Sequence, residues 1–208
     1  GDTQDLSALA GDTLVNLQVK LAGTDTVAID AGDVALPASG NYSVIANLDA
    51  AGTPTVTVFE NDTSAIAAGE GRLQVRHVAA APAVDVKANG DVAFPALSNP
   101  DEAKADLPAA TYSVEVVPAG EADPVVIGPA DIAVNDGDSL IVYAVGSLEA
   151  GSLTVLTESI TGLGQTPTEV PSGNSPVESG FPMAAVAGMA LIASLAAAGG
   201  LTLARRSN

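Results

Sequence analysis

Between Thr13 and Leu156 the chain is a succession of short runs in which apolar and polar residues alternate, each closed by Gly, Pro, Asn or Asp. A period of two sends successive side chains to opposite faces, so each run reads as a strand with a face to bury. The runs are Thr13–Val19, Asn41–Ala46, Thr55–Phe59, Leu73–Val78, Val84–Lys87, Asp91–Phe94, Thr111–Val116, Ser139–Val145 and Leu153–Leu156. Spacing near ten residues with turn punctuation is the pattern of a β-sandwich or barrel. Asn89-Gly90 marks a two-residue hairpin, because both central positions of such a turn favour positive φ. No long amphipathic helix precedes the C-terminal stretch. The expected fold is all-β, built of immunoglobulin-like sandwich modules.

The runs also repeat. Val15–Glu60 aligns with Tyr112–Glu158 at an offset of about 97–98 residues, each copy carrying an Ala-Gly pair, Ala22-Gly23 and Ala119-Gly120. Two modules in tandem follow, residues 1–65 and 66–160. The second is complete, but the first lacks a counterpart of Leu73–Phe94. A sheet short of a strand exposes unpaired backbone. The first module is therefore expected to be truncated, natively shorter, or completed by a donated β-strand from a neighbouring chain.

Residues 161–180 are rich in Pro, Gly, Ser and Thr and read as an extended stalk. Residues 181–204 then hold no charge, ahead of Arg205 and Arg206. At 1.5 Å per residue, a helix of that length reaches roughly 35 Å, enough to cross a hydrocarbon core of about 30 Å. The arginine pair is a stop-transfer signal and places residues 205–208 in the cytoplasm. The expectation is a single-pass membrane protein with its bulk outside the cell. Sortase-type attachment to the cell wall is the competing reading, although the Leu-Pro-x-Thr-Gly signal is missing.

Composition removes several partners. The chain has 25 acidic residues against 7 basic ones, so it has no basic stripe with which to hold nucleic acid. It has no Cys, which excludes disulfides and thiolate chemistry. Aromatic residues make up 3% with no Trp, too few for a face that stacks sugars or bases.

Arg72–Phe94, RLQVRHVAAAPAVDVKANGDVAF, resembles the family catalogued as domain of unknown function 4397. Its pattern, V-H-x-S-P-D-A-P-x-V-D-V-x-x-N-G, is met by His77, Pro82, Val84, Asp85, Val86, Asn89 and Gly90. Leu107-Pro108-Ala109 with Tyr112, and Val117-Pro118-Ala119-Gly120, match its later motifs. The Ser-Pro-Asp after the histidine is replaced here by Ala79-Ala80-Ala81, in a loop one residue shorter. The resemblance implies secreted or surface-attached bacterial or archaeal modules, often in tandem, without an established activity.

Few residues carry chemistry. His77 is the only histidine and stands in a strand, with Asp85 within reach across a hairpin; a structural role is expected over a catalytic one. Asn135-Asp136-Gly137-Asp138 is the densest oxygen cluster, with Asp136 and Asp138 the candidate calcium ligands and a tight turn the competing reading. Asn41 and Asn61 each begin a glycosylation sequon. No phosphate loop, nucleophile elbow or zinc motif is present. The chain reads as a non-enzymatic surface protein that presents its modules to other surface proteins, with a small-ligand or calcium-binding module as the alternative.

Overall fold

A computed structural model describes residues 2–164 and 189–193. Among these residues the chain forms fourteen strands, one short 3-10 turn (Ser7–Leu9) and no α-helix. The strands are β1 (Asp2–Asp5), β2 (Thr13–Lys20), β3 (Val27–Ala35), β4 (Tyr42–Leu48), β5 (Pro54–Glu60), β6 (Glu70–His77), β7 (Val84–Ala88), β8 (Asp91–Leu97), β9 (Glu102–Pro108), β10 (Ala110–Pro118), β11 (Ile127–Val134), β12 (Ser139–Val145), β13 (Thr154–Ile160) and β14 (Met189–Ala193). The all-β expectation holds. Every run read from alternation coincides with a strand, although Asn41, Val78 and Leu153 fall one residue outside theirs, and β1, β3, β9, β11 and β14 are additional.

Four sheets result, with strand orders β2-β3, β1-β14-β4-β5, β13-β12-β6-β9 and β11-β10-β7-β8. The burial pattern shows how they stack. The largest core lies between the last two sheets, where Leu73 and Val75 of β6 and Val142 of β12 meet Val86, Phe94, Val114 and Val116. On the opposite face of β12, Ile141, Tyr143 and Val145 pack against Ile45 of β4 and Phe59 of β5. The far face of β4 turns Val44 and Ala46 towards β2 and β3, against Leu36, Val19 and Ile29. β4, β6 and β12 are thus covered on both faces, which is why they are almost continuously buried.

The two inner sheets share one pairing scheme. β12 runs antiparallel to β13 and parallel to β6, whose other edge pairs antiparallel with β9. β4 runs antiparallel to β5 and parallel to β14, whose other edge pairs antiparallel with β1. The strand beside β4 in this structure is the chain's own Met189–Ala193.

That strand departs from the sequence expectation. Met189–Ala193 falls inside the stretch read as a membrane helix, yet it is extended and paired along β4. The rest of residues 181–204, the stop-transfer pair Arg205 and Arg206, and the stalk beyond residue 164 lie outside the described residues. Among the described residues, no helix is long and apolar enough to cross a membrane.

Gly71 shows how closely the sheets approach. A Cβ there would stand 2.2 Å from the Asn135 carbonyl oxygen and 2.7 Å from Val134 Cγ1, with backbone as the obstacle. Gly71→Ala is expected to cost about 1–3 kcal/mol, the range for forcing extra volume into a packed site, read as a lowered urea midpoint. An unchanged midpoint would show that the β6 start yields freely.

Candidate functional site

The densest polar chemistry lies where β6 and β9 face the first inner sheet. By alternation, Leu73, Val75 and His77 turn to one face of β6, and Arg72, Gln74 and Arg76 to the other. The antiparallel register sets Arg72 opposite Asp106, Gln74 opposite Lys104 and Arg76 opposite Glu102. Opposite charges thus meet across the strands.

Arg76 is the most enclosed of these residues, with its side chain fully buried. Its Nε donates to Glu102 Oε2 at 2.6 Å, Nη1 to the Tyr143 hydroxyl at 2.8 Å and Nη2 to the Glu60 carbonyl at 3.3 Å. The guanidinium carbon lies 4.5 Å from the centre of the Phe59 ring and 5.3 Å from that of Tyr143. The Tyr143 hydroxyl in turn donates to Glu158 Oε2 at 3.0 Å, and Ser43 of β4 donates to the same oxygen at 3.2 Å. Burial pushes the Tyr143 hydroxyl well above the usual phenol range, so it remains a donor. Each nitrogen of the buried cation has a partner, as a charge out of water requires.

Arg72 makes the second half of the network. It grips Asp106 with two parallel bonds, of 2.7 Å and 2.9 Å, and reaches Asp62 Oδ1 with Nη1 at 2.9 Å. Asp62 also accepts from Lys104 Nζ at 2.7 Å and from the Ser64 hydroxyl at 2.6 Å. The Lys104 bond, then Ser64 and the Arg72 charge, hold the Asp62 carboxyl far below its ordinary range. Gln74 closes the row, donating to Ser139 at 2.7 Å. Among the described residues, no buried side-chain nitrogen or oxygen lacks a partner.

Above this network opens a polar cleft of about 670 Å³, walled by Asn41, Glu60, Asn61, Asp62, Thr63, Ser64, Glu102 and Lys104. Two of its carboxylates, Asp62 and Glu102, are committed to cations, and Ser43 beneath it is fully buried. Asn61 is only 3% exposed, with its amide donating to Asn41 and Ser43, so this sequon is internal. The arrangement is that of a joint.

The family-motif residues brace the second core instead. His77 is 1% exposed; its Nδ1 accepts from the Ala79 amide at 3.3 Å, and Nε2 donates to the Pro82 carbonyl at 3.0 Å. That pair of bonds selects the neutral ring, and burial lowers its pKa. Asp85 does not reach it. Its two oxygens accept from the Ala96 amide at 2.7 Å and the Gly120 amide at 2.9 Å, which holds the carboxyl low. Asn89 and Gly90 take positive φ, 53° and 90°, as the hairpin requires, and Asn89 Oδ1 accepts from Ser113. Beneath His77 lies a small apolar cavity of about 30 Å³, lined by Leu73, Val84, Val116 and Val142 among others.

Asp136 and Asp138 lie in the turn before β12, where Asp136 Oδ1 accepts from the Gly69 amide at 2.8 Å. Among the described residues, no three His, Cys, Asp or Glu side chains gather into a metal-holding group. The turn ties the start of β6 to β12, since the Arg72 amide donates to the Asp138 carbonyl.

Sequence reasoning missed Arg72 and Arg76. Their signal was present: RLQVRH puts two arginines on one face of a strand, and EAKADL carries charges on alternate residues.

Comparison with known proteins agrees with the motif reading. Residues 6–87 match the family model described as Domain of unknown function (DUF4397). This segment belongs to that family. The match runs from the residue before the 3-10 turn into β7, and so includes His77, Pro82 and Asp85 of the motif but stops before Asn89 and Gly90. No curated protein and no solved structure matches the chain.

Two outcomes follow. Arg76→Ala is expected to cost about 3–5 kcal/mol, because it strands Glu102 and Tyr143 and empties a buried site; chemical denaturation measures it. His77, with its pKa lowered in the folded state, contributes stability that is full above the unfolded value of about 6.5. That contribution falls as pH drops from there through the folded pKa. Melting temperature between pH 7.5 and 5 should decline more steeply for the native chain than for His77→Gln.

Proposed function

We propose that this protein is a non-enzymatic structural and interaction protein of the cell surface. It presents tandem β-sandwich modules of the immunoglobulin-like kind outside the cell, on a stalk ending in a membrane anchor. The observation that carries this reading is the Arg76 junction. A buried cation, bonded at each nitrogen and set against the Phe59 and Tyr143 rings, joins the inner sheets into a stiff block. Such a block suits presentation: its value lies in holding distant surfaces at fixed separation, and it needs no moving lid or reactive centre. The excess of 25 acidic over 7 basic residues supports a solvated, self-repelling exterior. The uncharged stretch at residues 181–204, closed by Arg205 and Arg206, supports the anchor.

Protease shaving of intact cells tests this, comparing the full chain with one ending at Gly180. The full chain should stay cell-bound and be clipped from outside, while the shortened chain is released. A full chain that is protected, or released like the shortened one, would overturn the display reading.

A further inference from the structure

The two inner sheets differ in where their third strand comes from. In one, β6 follows directly from the loop after β5. In the other, the equivalent place beside β4 is taken by β14, from the far end of the chain. The correspondence extends to the register. Ala46 of β4 and Ala144 of β12 occupy the same place in the Val15–Glu60 and Tyr112–Glu158 alignment. Ala144 stands opposite His77 of β6, and Ala46 stands opposite Ala193 of β14. Both pairings are parallel, and both third strands then pair antiparallel on their outer edge, with β9 and β1 respectively.

We propose that the place between β1 and β4 is a strand-acceptor slot, and that its occupant outside the membrane is the chain's own apolar segment Met189–Ala193. The physical case has two parts. Without an occupant, β4 presents a row of unpaired amides and carbonyls in a strand whose Val44, Ile45 and Ala46 are essentially inaccessible to solvent. Without the slot, the segment's own backbone lacks a ladder partner; strand addition satisfies both strands at once. A donor from the same chain also needs no second molecule, so closure is independent of concentration. Strand and membrane helix are then exclusive seats for one segment. The slot stands on the pairing geometry and does not depend on the anchoring proposed above.

The chain contains no cysteine, so an introduced pair reports cleanly. Ala46→Cys with Ala193→Cys joins register partners in the purified full chain. Adjacent strands lie about 4.8 Å apart, within disulfide reach. Ala46→Cys with Ala190→Cys is the control, since Ala190 pairs with Ser43, three residues or about 10 Å along the ladder. On mild oxidation the matched pair should give a monomeric cross-linked product in at least tenfold excess over the control. Linked dimers would overturn the proposal in favour of a second copy as donor; no cross-link, or equal yields, would overturn it outright.

Hydrogen exchange of the full-length Leu191→Pro variant gives a second reading, because proline removes a ladder donor. The β1 amides, and those of β4 that do not pair with β5, should exchange at least tenfold faster, with β6 and β12 unchanged. Unaltered protection in β4 would overturn the slot. Cross-linking in the soluble chain and shaving of cells fail separately, so the donor strand and the anchor are judged independently.

Discussion

A buried guanidinium organises this molecule. Arg76 sits between two sheets where a charge is costly unless fully bonded, so its partners are fixed in turn: Glu102 on β9, Tyr143 on β12, and the Glu60 carbonyl and the Phe59 ring on the first inner sheet. The partners come from three strands, β5, β9 and β12. Moving either sheet relative to the other would break the bond to the Glu60 carbonyl and lift the guanidinium off the Phe59 ring. The apolar contacts of Ile45, Ile141 and Val145 supply area at this interface, but only the charged network dictates one orientation.

The same principle explains where the histidine lies. A strand with both faces buried must divide its residues between two environments. β6 sends its arginines to the polar interface and His77 to the apolar core beneath the family motif. There the ring is occupied on both nitrogens by backbone groups, while Asp85 fastens β8 and the turn after β10 in the neighbouring sheet. The motif is therefore a set of local braces around a loop and a hairpin.

Legibility followed the type of signal. Alternation located β2, β4, β5, β6, β7, β8, β10, β12 and β13, because a half-buried strand writes a period of two into its side chains. It failed for β9, whose buried face is Ala103, Ala105 and Leu107 and whose other face is charged. Alanine and charge have little strand preference by themselves. It failed also for β3, where register shifts against β2 break the period, and for β11, which contains Pro129. The turn Asn89-Gly90 was legible because positive φ is a local demand. The Arg72 and Arg76 network was not picked out, since its meaning depends on which strand lies opposite.

By itself the sequence determined the all-β class, most strand positions, the hairpin, the family resemblance and the exclusion of thiol chemistry. Those properties are local or compositional, set by side-chain period, turn chemistry and residue count. Only the tertiary structure decided that four sheets stack, that Arg76 is enclosed rather than solvated, and that Met189–Ala193 lies beside β4. Each of these is a pairing between residues far apart in the chain. Alternation shows that a strand has a face to bury and an edge to pair, but not which partner will satisfy them.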